Sequence, residues 1–177
     1  MGFEERQFRD ALGAFPTGVA VVTGLSDKGE RVGVTVSSFN SVSIAPPLVL
    51  FSIARQAHSY SAWIAMRLYA VNILSQQQEE ISNRFARALG DKWAGLIVLE
   101  GANGMPILPN ALAVFECEAY ARYDGGDHDI FVGRVIGLRR HAHKQEQPLI
   151  FFGGRYRRLD EGFQDRPPRD ASIFDGW

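Results

Sequence analysis

Runs of β-branched and aromatic residues recur at short intervals along this chain, separated by Gly, Pro and Asp turn residues. VAVVTGL (19–25) and RVGVTVS (31–37) flank Ser26-Asp27-Lys28-Gly29 and read as a hairpin. LVLFSI (48–53), after Pro46-Pro47, is apolar on both faces and predicts a buried strand. LYAVNIL (68–74) predicts another. The two longest runs, ALAVFECEAYARY (111–123) and DIFVGRVIGLRR (129–140), are joined by Asp124-Gly125-Gly126-Asp127-His128. In the first, Ala113, Phe115, Cys117 and Ala119 alternate with Val114, Glu116, Glu118 and Tyr120, which predicts one half-solvated face. PLIFFGG (148–154) and RYRRL (155–159) form a last pair. Helical spacing appears at 4–14, where Phe8, Ala11 and Leu12 share a face, and at 59–67 and 76–89. The strand-helix alternation of a parallel sheet is missing, so a Rossmann domain is disfavoured. The expected fold is mainly β with a few helices, a Greek-key barrel with helical decoration.

At 177 residues the chain suits one domain, here 1–159 followed by a polar tail, 160–177. With 19 Lys+Arg against 20 Asp+Glu, it is no general nucleic-acid binder. No apolar run is long enough to cross a membrane, and MGFEERQFRD lacks the pattern of a secretory signal. The expected location is the cytoplasm. A single cysteine, Cys117, excludes an internal disulfide. His141 and His143 share a strand face without a suitably spaced third ligand, so no metal site is expected. The dinucleotide, Walker, nucleophile-elbow and zinc motifs are all absent.

Three segments carry candidate chemistry. TVSSFNSVS (35–43) holds Thr35, Ser37, Ser38, Asn40, Ser41 and Ser43 between apolar strands. The alternation breaks at Ser38, predicting a bend that exposes backbone N–H groups beside hydroxyls. An acceptor-rich ring or a phosphate suits that surface; equally, the hydroxyls could satisfy nearby backbone. In SIARQAHSYSAW (52–63), Ser59 reads as a helix cap, and Arg55 beside that N-terminus reads as an anion contact or a solvated cation. In DGGDHDIF (124–131), the glycine turn presents His128 at a strand mouth, able to meet a cofactor amide or handle a proton, or to serve the turn alone. Seven Lys/Arg between Arg134 and Arg158 could greet a dinucleotide or form a solvated face.

Taken in order, FRDALGAFPTGVAVVT (8–23), VGVTVSSFNSVSIAPPLVLFSI (32–53), GGDHDIFVGRV (125–135) and PLIFFGGRYRRL (148–159) closely resemble the flavin reductase-like family. These are the reductase components of two-component flavin-dependent monooxygenases. The resemblance implies an FMN-binding split β-barrel of six strands, working as a homodimer. It implies reduction of FMN or FAD by NADH or NADPH, the reduced flavin then reaching a partner oxygenase. It places Val34, Thr35, Val36, Ser37 and Ser38 along the flavin ring and ribityl chain, with Ser43 at the end of that loop and Thr17 nearby. Ser52, Ile53, Ala54, Arg55 and Ser59 fall near the phosphate. His128 falls near the nicotinamide, and Gly154, Arg155 and Tyr156 border the same pocket. Delivery of electrons to ferric chelates, or flavin or haem binding without reduction, are the rival activities. The tail aromatics Phe163, Phe174 and Trp177 are expected to dock on a partner subunit or over the site.

Overall fold

The computed structural model describes residues 2–140 and 146–159. His141, His143 and the tail aromatics therefore lie outside the described residues. In chain order the elements begin with α1 (Glu5–Leu12), β1 (Thr17–Gly18), β2 (Ala20–Leu25), β3 (Arg31–Val36) and β4 (Asn40–Ser43). Next come β5 (Leu48–Ala54), α2 (Tyr60–Ala65), β6 (Leu68–Ile73), and a 3-10 turn (Gln76–Gln78) running into α3 (Glu79–Ala86). A short pair, β7 (Leu99–Glu100) and β8 (Pro106–Ile107), precedes the long β9 (Ala113–Gly125) and β10 (His128–Arg140). The last pair is β11 (Ile150–Phe152) and β12 (Arg155–Arg157).

One antiparallel sheet runs β3-β2-β6-β9-β10-β5-β4. Six of these strands make the expected barrel, and the short β4 adds a seventh along β5. The outer strands β3 and β5 meet through a side chain rather than a ladder. Ser52 N donates to Ser38 Oγ (2.9 Å), and Ser38 Oγ donates back to Ser52 O (3.3 Å). That contact bridges the split. A separate sheet, β1-β11-β12, flanks the barrel.

Period-two alternation explains the interior. On β5, Val49, Phe51 and Ile53 point inward and are buried, while Ser52 and Ala54 take the outer face. They pack with Val22, Val36, Trp63, Tyr69, Val71, Cys117 and Phe131 as the main core. Phe51 stacks on Phe131, with ring centroids 5.4 Å apart and planes 5° from parallel. A second cluster, Val19, Val21, Leu74, Phe85, Leu108 and Leu149, fills the space under α3.

One sequence expectation fails here. Alternation assigned Glu116 to a solvated face, yet it is 2% exposed. Its Oε2 accepts from Asn103 N (3.3 Å), and its Oε1 lies 3.3 Å from Arg139 Nε. A Cβ at Gly101 would press into that carboxylate, so the glycine makes room for it. The apolar face predicted for the first helix is present but unburied, with Phe8 and Leu12 on the surface of the lone chain.

Candidate functional site

The bend expected in the hydroxyl-rich segment falls at Ser37, where β3 ends. Two hollows lie to either side of this strand. The larger, about 630 Å³, is bounded by Val34, Ala54, Ser59, Arg31, Lys92 and Trp93, among others. The smaller, about 270 Å³, is bounded by Thr17, Ser37, Arg9, Phe15, Phe151 and Gly154, among others. Val34-Thr35-Val36-Ser37 thus runs from one hollow to the other, a track for an elongated ligand. Ligand sites of this kind are concave and mostly apolar, with few fixed polar groups.

The polar groups differ in whether the protein already uses them. Thr35 Oγ1 donates to Ser82 O on α3 (2.7 Å), and Ser38 closes the barrel seam as described. Thr17 Oγ1, by contrast, is buried without a hydrogen-bond partner among the described residues. A buried hydroxyl left unpaired is costly, so this oxygen suits a ligand donor or acceptor in the smaller hollow. The hollow's floor needs glycine. Gly153 and Gly154 both take positive φ (58° and 73°) to close the two-residue turn between β11 and β12, and Gly153 N donates to Gly13 O (3.0 Å).

His128 opens β10 opposite Ala54 of β5, beside the larger hollow's rim rather than among its lining residues. The tight turn is Gly126-Asp127, because Gly125 already pairs with His128 in the β9–β10 ladder. His128 Nδ1 lies 2.7 Å from Asp127 Oδ1. A carboxylate only accepts, so Nδ1 carries the proton and Nε2 is the ring nitrogen left free. The hydrogen bond from His128, then its charge, hold the Asp127 carboxyl below the usual carboxylate range.

Residues 12–160 match the flavin reductase like domain. The chain belongs to that family. It is 43% identical over 158 residues to "FMN reductase (NADH) SmoA" of Agrobacterium fabrum, covering 89% of this chain and 88% of that protein. It is 38% identical to "Flavin-dependent monooxygenase, reductase subunit HsaB" of Rhodococcus jostii, covering 86% and 77%. Among solved structures, the Streptomyces globisporus "NADH:FAD oxidoreductase SgcE6 in complex with NAD and FAD fragments" superposes with a TM-score of 0.84 at 36% identity, covering 91% of this chain and 96% of that one. The family's reductase folds match this one, so the split-barrel expectation stands.

Set against the expected flavin reductase site, the residues sort unevenly. Thr17, Val34, Ser37, Ala54, Ser59 and Gly154 line the two hollows, and Thr35 and Ser52 sit on the strands between them. Val36 and Ile53 direct their side chains into the core, so only their backbone can face a ligand. Arg155 is exposed at the start of β12. Ser43 pairs with Leu48, four residues down β5 from Ser52, roughly 13 Å at strand rise, and is not gathered in. Tyr156 is a strut rather than a pocket wall: its Oη lies 2.8 Å from Ser82 Oγ and donates to Asn83 Oδ1 (3.0 Å). Ser59 holds the N-cap position of α2 as expected, but its side chain makes no cap bond; its Oγ accepts from Trp63 Nε1 (3.1 Å). Arg55, expected to offer its charge to an anion, instead pairs with Asp124 and Asp129.

Sequence reasoning passed over Lys92, Arg9 and Asp127. Lys92 Nζ donates to Gly33 O (3.2 Å) and Phe85 O (3.1 Å) at the larger hollow, and burial pulls its pKa down. Its only sequence signal is a cation just past the Gly90 stop of a helix.

Proposed function

We propose that this chain, in the cytoplasm, uses NADH or NADPH to reduce FMN or FAD and releases the reduced flavin to a partner monooxygenase. The observation that carries the reading is the β3 track joining two hollows, with the unpaired Thr17 hydroxyl at one end. A flavin fits such a groove: its ring is rich in acceptors and donors, and its tail is long and polar. The ring and ribityl chain follow Val34–Ser37, taking backbone N–H groups from the strand end. The tail runs toward Ala54–Ser59, where Arg31 and Lys92 add positive charge. His128 meets the nicotinamide carboxamide through Nε2. The two bound cofactors supply the hydride chemistry themselves, and the protein's task is alignment. Holding both rings in contact converts a collision into an intramolecular step. A groove open along one side lets product flavin leave, as the reaction requires.

Among the described residues no helix is long and apolar enough to cross a membrane. We further infer a homodimer. Leu12, Phe15, Phe151 and Phe152 line the smaller hollow yet are exposed in the single chain, with Phe15 at 73%. A second copy seated there would cover this apolar patch and wall off the hollow. Light scattering at micromolar concentration should report twice the chain mass. An active, soluble monomer would refute the dimer.

Thr17→Val removes the unpaired hydroxyl at nearly constant volume. Stability should be unchanged or slightly raised, because no bond within the protein is lost. The flavin Michaelis constant should rise about three- to tenfold, the value of one hydrogen bond. Unaltered flavin kinetics would remove Thr17 from the site. The activity itself is tested by NADH oxidation with and without added FMN, FAD or riboflavin. Oxidation should require the flavin; a binding module would show none with any of them.

A further inference from the structure

Arg55 follows the last residue of β5 and touches the β9–β10 hairpin at three places. Its backbone N–H donates to Asp127 O (2.9 Å). Nε donates to Asp129 Oδ1 (2.8 Å), and Nη2 reaches Asp124 Oδ2 (2.6 Å) and Asp129 Oδ1 (2.7 Å). Asp124 and Asp129 are cross-strand partners, one step from the Gly125–His128 pair that ends the ladder. The guanidinium fork therefore ties both strands together just behind His128. Asp129 is itself buried, and its Oδ2 accepts from Tyr60 Oη on α2 (2.6 Å) with Arg122 Nε 3.4 Å away. Asp124 Oδ1 accepts from Gly126 N (3.0 Å), holding the turn from inside. Two cations thus balance two carboxylates.

We propose that Arg55 is a positioning residue that holds His128 at the edge of the flavin site through Asp124 and Asp129, an inference that rests on the reading of His128 as the nicotinamide contact. An arginine set aside for a phosphate would have its fork open toward the groove. Here the fork is filled by carboxylates, the partners it matches best, and the balanced cluster has little residual pull on an anion. The hairpin tip has few other restraints, since Gly126 and Asp127 are exposed and pack on no core residue. A tip free to move by an ångström would misplace His128, and displacements of that size cost up to about a hundredfold in rate.

The test replaces Arg55 with glutamine in the full chain, with His128 intact and in the His128→Ala background. Anaerobic stopped-flow reduction by NADH is followed with FMN and with riboflavin. Arg55→Gln should slow hydride transfer about tenfold, by the same factor for both flavins. In the His128→Ala background it should slow nothing further, because a residue that acts only through another is non-additive with it. A loss confined to FMN, as a raised Michaelis constant at unchanged reduction rate, would return Arg55 to the phosphate and overturn the proposal. Equal slowing in both backgrounds would make Arg55 merely structural and overturn it too. Should Arg55→Gln fail to fold, Tyr60→Phe, which removes one hydroxyl from Asp129, should give the same pattern at smaller size. Its indifference to the His128 background would be equally contrary. His128→Ala without effect on its own would reject the nicotinamide reading, a result distinct from all of these.

Discussion

His128→Ala should slow hydride transfer by about ten- to a hundredfold and raise the NADH Michaelis constant, while flavin binding and thermal stability barely change. The size follows from what the side chain does. Its Nδ1–H is committed to Asp127, and in the proposed reading the free Nε2 orients the nicotinamide through a single hydrogen bond. Removing it leaves the ring free to sample unproductive poses, which costs rate rather than folding energy. The imidazole is only half buried and belongs to no core cluster, so the fold loses little. His128→Asn, able to accept one hydrogen bond, should recover part of the rate. Wild-type reduction at saturating NADH, with an unchanged Michaelis constant, would remove His128 from the site.

The largest stability effect should come from Phe51→Ala. Phe51 is fully buried, stacked on Phe131, and set edge-on to Tyr69 (5.2 Å) and Trp63 (6.4 Å). Truncating a buried Phe costs about 3–5 kcal/mol, because the three rings around this position cannot collapse to fill the space. That is about a fifth or more of the stability of a typical domain. For a chain of this size the melting temperature should fall by roughly 6–20 °C in calorimetry. The catalytic constants of the protein that remains folded should change far less than in His128→Ala. A melting temperature within a degree of wild type would mean the ring cluster is not the centre of the barrel.

Local pattern carried most of the fold, and long-range closure carried what pattern missed. The strands at 20–25, 48–54 and 68–73 could be read directly because their β-branched runs end at turn residues. The third helix was legible too, apart from its 3-10 first turn. Ser38 looked like a ligand contact because the alternation breaks there, and Ser52 because the family resemblance places it near the phosphate. Their mutual hydrogen bonds exist only once the barrel curls and brings residues fourteen apart into contact. Arg55 misled for a similar reason. Near a helix start it resembles an anion site, but its partners Asp124 and Asp129 are some seventy residues away. Glu116 is buried because Gly101 and Gly137, from two other segments, leave space beside it. No alternation rule contains that information. The unburied face of α1 is legible only as a question of what second surface covers it.

Among the candidate residues, the family motifs mark several whose backbone or small side chain lines a hollow. Residues acting through others, such as Asp127 and Tyr60, gave no signal of their own. Asp127 bonds to His128, which motif reading had singled out, and Tyr60 bonds to Asp129, the partner of Arg55.

In the proposed reaction flavin is a substrate, reduced by hydride from the nicotinamide and then released. Anaerobic mixing of the protein with a tenfold excess of FMN or FAD and an equal excess of NADH tests it most directly. Nearly all the flavin should be bleached, one NADH consumed per flavin, with many turnovers per protein chain. Bleaching that stops at one flavin per chain, or NADH left untouched, would contradict it.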